Sequence, residues 1–101
     1  MYGSQLPLAV CDASSMRQAD FMKTGLLYPD RSGEIYSVFH RPEHHWLCVS
    51  NMEPTEAMLL KCYDSDESGF ARFTAHCAIE IPGSGDALTR ESIEVRTLVF
   101  Y

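Results

Sequence analysis

The clearest alternation of apolar and polar positions runs through residues 70–81 (FARFTAHCAIEI). Phe73, Ala75, Cys77, Ile79 and Ile81 fall on one side of a period of two, and Thr74, His76, Ala78 and Glu80 on the other. Period two sends successive side chains to opposite faces of a strand. Residues 34–40 (EIYSVFH) repeat the pattern in β-branched and aromatic residues that suit a pleated surface. Arg41-Pro42 interrupts them, and residues 45–49 (HWLCV) read as their partner strand. Residues 6–11 form a short apolar run closed by Asp12, which with Ser14 and Ser15 offers helix N-caps. Residues 14–27 have room for a turn or two of helix, although their apolar spacing is irregular, and residues 57–63 fit either period. Pro- and Gly-bearing turns punctuate the chain at 28–33 and 82–86, another turn or short cap falls at 51–56, and residues 92–101 (SIEVRTLVFY) close it with a strong β signal. Six or so short strands separated by turns predict a mainly β, antiparallel chain with one or two short helical turns.

Composition narrows the class. With 101 residues, 46% hydrophobic and 22% charged, the chain has the length and apolar content of one domain over 1–101, with no repeat or linker to divide it. Eight Lys and Arg against fourteen Asp and Glu give a net charge of −6. Such a chain repels phosphate backbones and anionic lipid, which argues against nucleic acid or a membrane surface as partner. No apolar run approaches the roughly 20 residues of a spanning helix, and MYGSQLPLAV lacks the features of a secretory signal; the expectation is a soluble, cytoplasmic protein. The four cysteines, at 11, 48, 62 and 77, sit in mostly apolar runs without a C-x-x-C pair, and read as reduced, structural thiols.

Chemistry concentrates near the C-terminus. His76 stands on the strand face opposite the purely apolar positions, and Arg90-Glu-Ser92 opens the next β segment. Neutral imidazole suits Fe(II), and an Arg-x-Ser pair at period two presents a fork and a hydroxyl from one face to a carboxylate. The competing reading makes His76 a hydrogen-bonded core histidine and pairs Arg90 and Arg96 with Glu91 or Glu94. Elsewhere the signals are weaker. His44 and His45 are adjacent, so on a strand they face opposite ways and cannot chelate one ion. Asp64-Ser-Asp-Glu lacks calcium-loop spacing, Ser14, Ser15 and Ser65 lack a nucleophile-elbow context, and Trp46 suits a core or interface position.

From Pro7 onward the chain resembles the C-terminal part of the AsaB-like hydroxylase/desaturase family of fungal and bacterial secondary metabolism, which includes gibberellin desaturases. The resemblance is carried in order by PLAVCDA (7–13), YPDRSGEIY (28–36), RPEHHW (41–46), MEPTEAMLLKCYDS (52–65), ARFTAHCAIEIP (71–82) and RESIEVRTLVF (90–100). It implies one half of a double-stranded β-helix, a jelly-roll or cupin-like fold, and Fe(II)- and 2-oxoglutarate-dependent oxidation of a small-molecule metabolite. By that comparison His76 matches an iron ligand. Arg90 matches the arginine that grips the co-substrate carboxylate, with Ser92 beside it and Arg96 as the alternative. Ala75 and Ile79 depart from the proline and the aromatic that the family usually has there.

A larger departure is the absence of His-x-Asp or His-x-Glu. His40, His44, His45 and His76 are each followed two positions on by a residue that is not acidic. Family members are much longer, and their His-x-Asp lies in a part that this chain does not contain. Two expectations follow. Either the chain supplies about half of a catalytic constellation, or it is a non-catalytic β domain whose apolar faces, at Ile93, Val95 and Val99, pair it into a homodimer that binds a ligand or partner. A third, in which His40, His44 or His45 of one copy joins His76 of another around a metal, lacks ligand spacing.

Overall fold

The computed structural model describes residues 6–68, 71–83 and 88–100, and within them the chain is antiparallel β with 3-10 turns and no α-helix. Strand β1 (Leu8–Cys11) is the centre of a three-stranded sheet, flanked by β4 (Trp46–Cys48) and β5 (His76–Ala78). Strands β2 (Phe21–Leu27) and β3 (Ser32–Val38) form a separate hairpin, in register from Phe21 opposite Val38 to Leu27 opposite Ser32. This is the architecture of a partial β-sandwich of the jelly-roll kind.

Between β1 and the hairpin, Asp12 caps a 3-10 turn (Ala13–Ser15) by accepting from the Ser14 amide at 3.0 Å. A second turn (Gln18–Asp20) closes on itself through the Asp20 carboxylate and the Arg17 amide, 2.8 Å apart. The expected helical character of residues 14–27 is therefore confined to these two turns, and Phe21–Leu27 is a strand. Its irregular apolar spacing matters less than its seven-residue antiparallel pairing with β3 across the tight 28–31 turn, where the Tyr28 amide donates to the Arg31 carbonyl at 3.0 Å. Strand β4 pairs with β1 instead of the expected strand 34–40, the turn in which the His44 amide donates to the Arg41 carbonyl leading the chain away from β3.

Two further expectations are corrected. Of the long strand at 70–81 only His76–Ala78 pairs, Phe70 lying outside the described residues; β1, four residues long, offers a short edge. Residues 92–100 form no strand and are exposed throughout, and Tyr101 lies outside the described residues. A strand needs a neighbour to satisfy its backbone, and among the described residues none of the five strands pairs with this segment.

Cross-strand partners share a sheet face. Ala9 and Cys11, with Trp46, Cys48 and Cys77 opposite them, occupy one face, and Ala9 and Cys11 are buried. The hairpin meets this side of the molecule through Phe73, which contacts Phe21 edge-on and stacks on Tyr36, both at 5.0 Å between centroids. Leu8, Val10, Leu47, His76 and Ala78 share the other face, which is open. All four cysteines are free thiols; Cys11 is buried, while Cys62 and Cys77 are exposed rather than set in a core.

Candidate functional site

His76 opens β5 opposite Val10, on the uncovered sheet face. Its Nδ1 lies 2.8 Å from the Thr74 carbonyl. A carbonyl only accepts, so Nδ1 carries the proton, and the neutral ring keeps its lone pair on Nε2. That is how a metal-binding imidazole is oriented by an outer hydrogen bond. The ring is exposed, not sealed in a core.

Arg90 and Ser92 come together: the guanidinium Nη1 donates to the Ser92 hydroxyl at 3.2 Å, while Nε donates to the Leu6 carbonyl at 3.0 Å. Leu6 lies four residues before Val10, which faces His76. This sets the Arg90 anchor on the order of 10 Å from the histidine along β1. Arg96 is turned to Glu94 at 3.6 Å, with both side chains more than three-quarters exposed. The arginine–glutamate alternative thus describes Arg96, whereas Arg90 is tied to β1's approach and to Ser92.

A cleft of about 340 Å³ opens beside β5. Tyr36 and Val38 of β3 and Trp46 of β4 line it, with His40 and His44 from the intervening loop and Ala75, His76 and Cys77 from the other side. The loop is fastened by a group that sequence reasoning missed. Asp20 is 4% exposed, and its carboxylate accepts from Arg41 (Nη2 at 3.0 Å, Nε at 3.2 Å), from His44 Nε2 at 2.9 Å and from the Arg17 amide. Its backbone carbonyl accepts from the Phe39 amide at 2.8 Å. Arg41, His44 and the Arg17 amide hold the Asp20 carboxyl far below the usual carboxylate range, and Asp20 in turn raises the Arg41 guanidinium. Nothing in the sequence pairs an aspartate with an arginine 21 positions later; the RPEHHW motif supplied the partners without pointing to the carboxylate.

His45, by contrast, is exposed and turns toward Asp12 at 4.0 Å, so the two adjacent histidines splay apart. The Asp64–Ser68 stretch is a run of side-chain-to-backbone turns, Asp64 accepting from the Asp66 amide and Asp66 from the Ser68 amide. Among the described residues no group of three or more His, Cys, Asp or Glu side chains could hold a metal ion. These residues do not assemble an iron site by themselves. No helix among them is long and apolar enough to cross a membrane.

A family model described as oxidoreductase/YMDC permease-like domain matches residues 4–100. Hydroxylase/desaturase efuI of Hormonema carpetanum is 40% identical over 94% of the chain, which spans 36% of that relative. Aspirochlorine biosynthesis protein N of Aspergillus oryzae is 40% identical over 94% of the chain and 41% of its own length. The alpha-ketoglutarate-dependent dioxygenase tstK of Talaromyces stipitatus is 36% identical over 94% of the chain and 35% of its own length. The chain thus spans between about a third and a half of the relatives it matches. No solved structure gives a significant match. With one oxidoreductase domain model running along nearly its whole length and these relatives aligned across it, the chain belongs to the AsaB-like hydroxylase/desaturase family.

Proposed function

We propose that the chain carries part of the active site of an Fe(II)- and 2-oxoglutarate-dependent hydroxylase or desaturase acting on a small-molecule secondary metabolite. His76 is one iron ligand; Arg90, with Ser92, holds the distal carboxylate of 2-oxoglutarate, and Arg96, whose exposed contact with Glu94 is weak, stays the alternative. The observation that carries the reading is the His76 ring itself, which is exposed and whose Nδ1–H is spent on the Thr74 carbonyl, leaving the Nε2 lone pair for a metal. Two relatives named alpha-ketoglutarate-dependent dioxygenases add the co-substrate. In this reading the remaining ligands come from polypeptide outside the described residues, and the chain supplies part of the site. A chimera in which this chain replaces the matched region of the efuI hydroxylase/desaturase tests it. Under anaerobic conditions Fe(II) and 2-oxoglutarate should give a charge-transfer absorption band with the chimera and none with the chain alone. A well-folded chimera without the band overturns the reading.

A second reading is a non-catalytic β domain that homodimerises. It is favoured by the exposure of Leu88, Ile93, Val95, Leu98, Val99 and Phe100, each at least three-quarters accessible.

A further inference from the structure

The cleft beside β5 and the buried carboxylate behind it belong to one device. We propose that Asp20 is a positioning residue that holds the 39–45 loop as one wall of a recess for a largely apolar, ring-bearing small molecule. This rests on the oxygenase reading only for calling that molecule the substrate.

Asp20 grips the loop at three separate points: the Phe39 amide through its carbonyl, and the Arg41 guanidinium and His44 imidazole through its carboxylate. Ser15 adds two more, accepting from Arg41 Nη2 at 2.7 Å through its carbonyl and from the His45 amide at 2.9 Å through its hydroxyl. Charge-assisted bonds to a buried carboxylate are the strong kind, and the guanidinium fork fixes direction as well as distance. The result is a loop set without slack between β3 and β4. It delivers His40 and Trp46 to the cleft that Tyr36 bounds from the hairpin. A volume of about 340 Å³ suits a small molecule of one or two rings, at the low end of ligand pockets. Tyr36 gives one ring face to Phe73, yet it and Trp46 keep 43% and 36% of their surfaces accessible, which leaves aromatic surface for a ligand to contact. Asp20 itself is covered and does not meet the ligand.

The test is a titration of the isotope-labelled chain with 2-naphthol, free of iron and 2-oxoglutarate. The chain has a single tryptophan, so the indole N–H resonance reports the recess directly. Saturable shifts are expected at Trp46, Ala75 and Cys77. Tyr36→Ser should weaken binding about tenfold, the loss of one aromatic contact. Asp20→Asn and Arg41→Lys should each weaken it several-fold with the β1 and β5 amide resonances in place. Thr24→Val, which removes the 2.7 Å bond to Ser37 in the hairpin, is the control that lowers stability and leaves affinity unchanged. Shifts confined to residues 88–100, unaltered affinity in Tyr36→Ser, or equal weakening by Thr24→Val overturns the proposal. Because no metal is present, a failed chimera leaves this result standing, and the reverse holds equally.

Discussion

At the scale of single residues, Asp20 is the side chain on which most depends. A carboxylate held below its unfolded value near 3.9 binds fewer protons in the folded chain than in the unfolded one. Its contribution to stability is therefore full above about pH 4 and is lost as pH falls through the lower folded value. Asp12 and Asp66, held down by their bonds from Ser14 and Ser68, act in the same direction from more exposed positions. The expected outcome is a urea midpoint that drops steeply on acidification below pH 4 in the natural chain. Asp20→Asn should start lower at pH 7 and fall less steeply. Parallel curves for the two proteins would remove Asp20 from the account. On the functional side, Arg90→Lys keeps the charge and forfeits the fork. In the efuI chimera it should weaken 2-oxoglutarate binding at least tenfold, measured from the charge-transfer titration, while His76→Ala should abolish the band. An Arg90→Lys chimera that binds the co-substrate as tightly as its parent would deny the guanidinium its role.

At the scale of elements, β1 holds the three-stranded sheet together because both its edges are taken. Ala9 is wholly buried there, opposite Cys48 on one side and Cys77 on the other. A side chain with no exposed surface leaves no room to grow, so Ala9→Leu should overpack the site and cost about 1–3 kcal/mol, read from chemical denaturation. A loss under half of that would mean that the cover over Ala9 yields to a larger side chain. The strands at 8–11, 34–38 and 46–48 were legible because β-branched, aromatic and apolar residues are bounded there by Asp12, Pro29 and Arg41-Pro42. Pairing was not legible. Strand 46–48 lies close in sequence to β3, yet the 28–31 turn brings β2 to β3 first, and the 41–44 turn sends the chain away to β1. Strand β2 was hidden for a related reason, since Phe21–Leu27 owes its form to its partner and not to its own period. Within the site, His76 and the Arg90–Ser92 pair could be singled out because each has a local spacing. Asp20 could not, because its partners lie 21 and 24 positions away and only the folded loop brings them in.

The whole molecule buries little of its apolar surface. Among the described residues no large side chain is fully covered, and the radius of gyration of 15.7 Å exceeds the roughly 13 Å of a compact domain of this length. The open face of the β1 sheet and the 88–100 segment carry much of the exposed apolar surface, and such surface is removed from water by association when no other polypeptide covers it. Charge opposes that step, since two copies at −6 repel each other. Sedimentation of the chain should therefore show concentration-dependent association that strengthens as salt rises from 20 to about 300 mM and screening sets in. The double substitution Ile93→Lys and Val95→Lys separates the two forces, because it lowers the net charge from −6 to −4 and at the same time removes two of the most exposed apolar side chains. If electrostatics governed, the variant would associate more; with apolar contact as the driving force it should become monomeric at concentrations where the natural chain is not. Joined into the efuI chimera, the same two lysines should impair folding if the remaining polypeptide covers this surface, and leave it intact if it does not. A natural chain that sediments as a monomer at every salt concentration would leave the homodimer reading without its driving force.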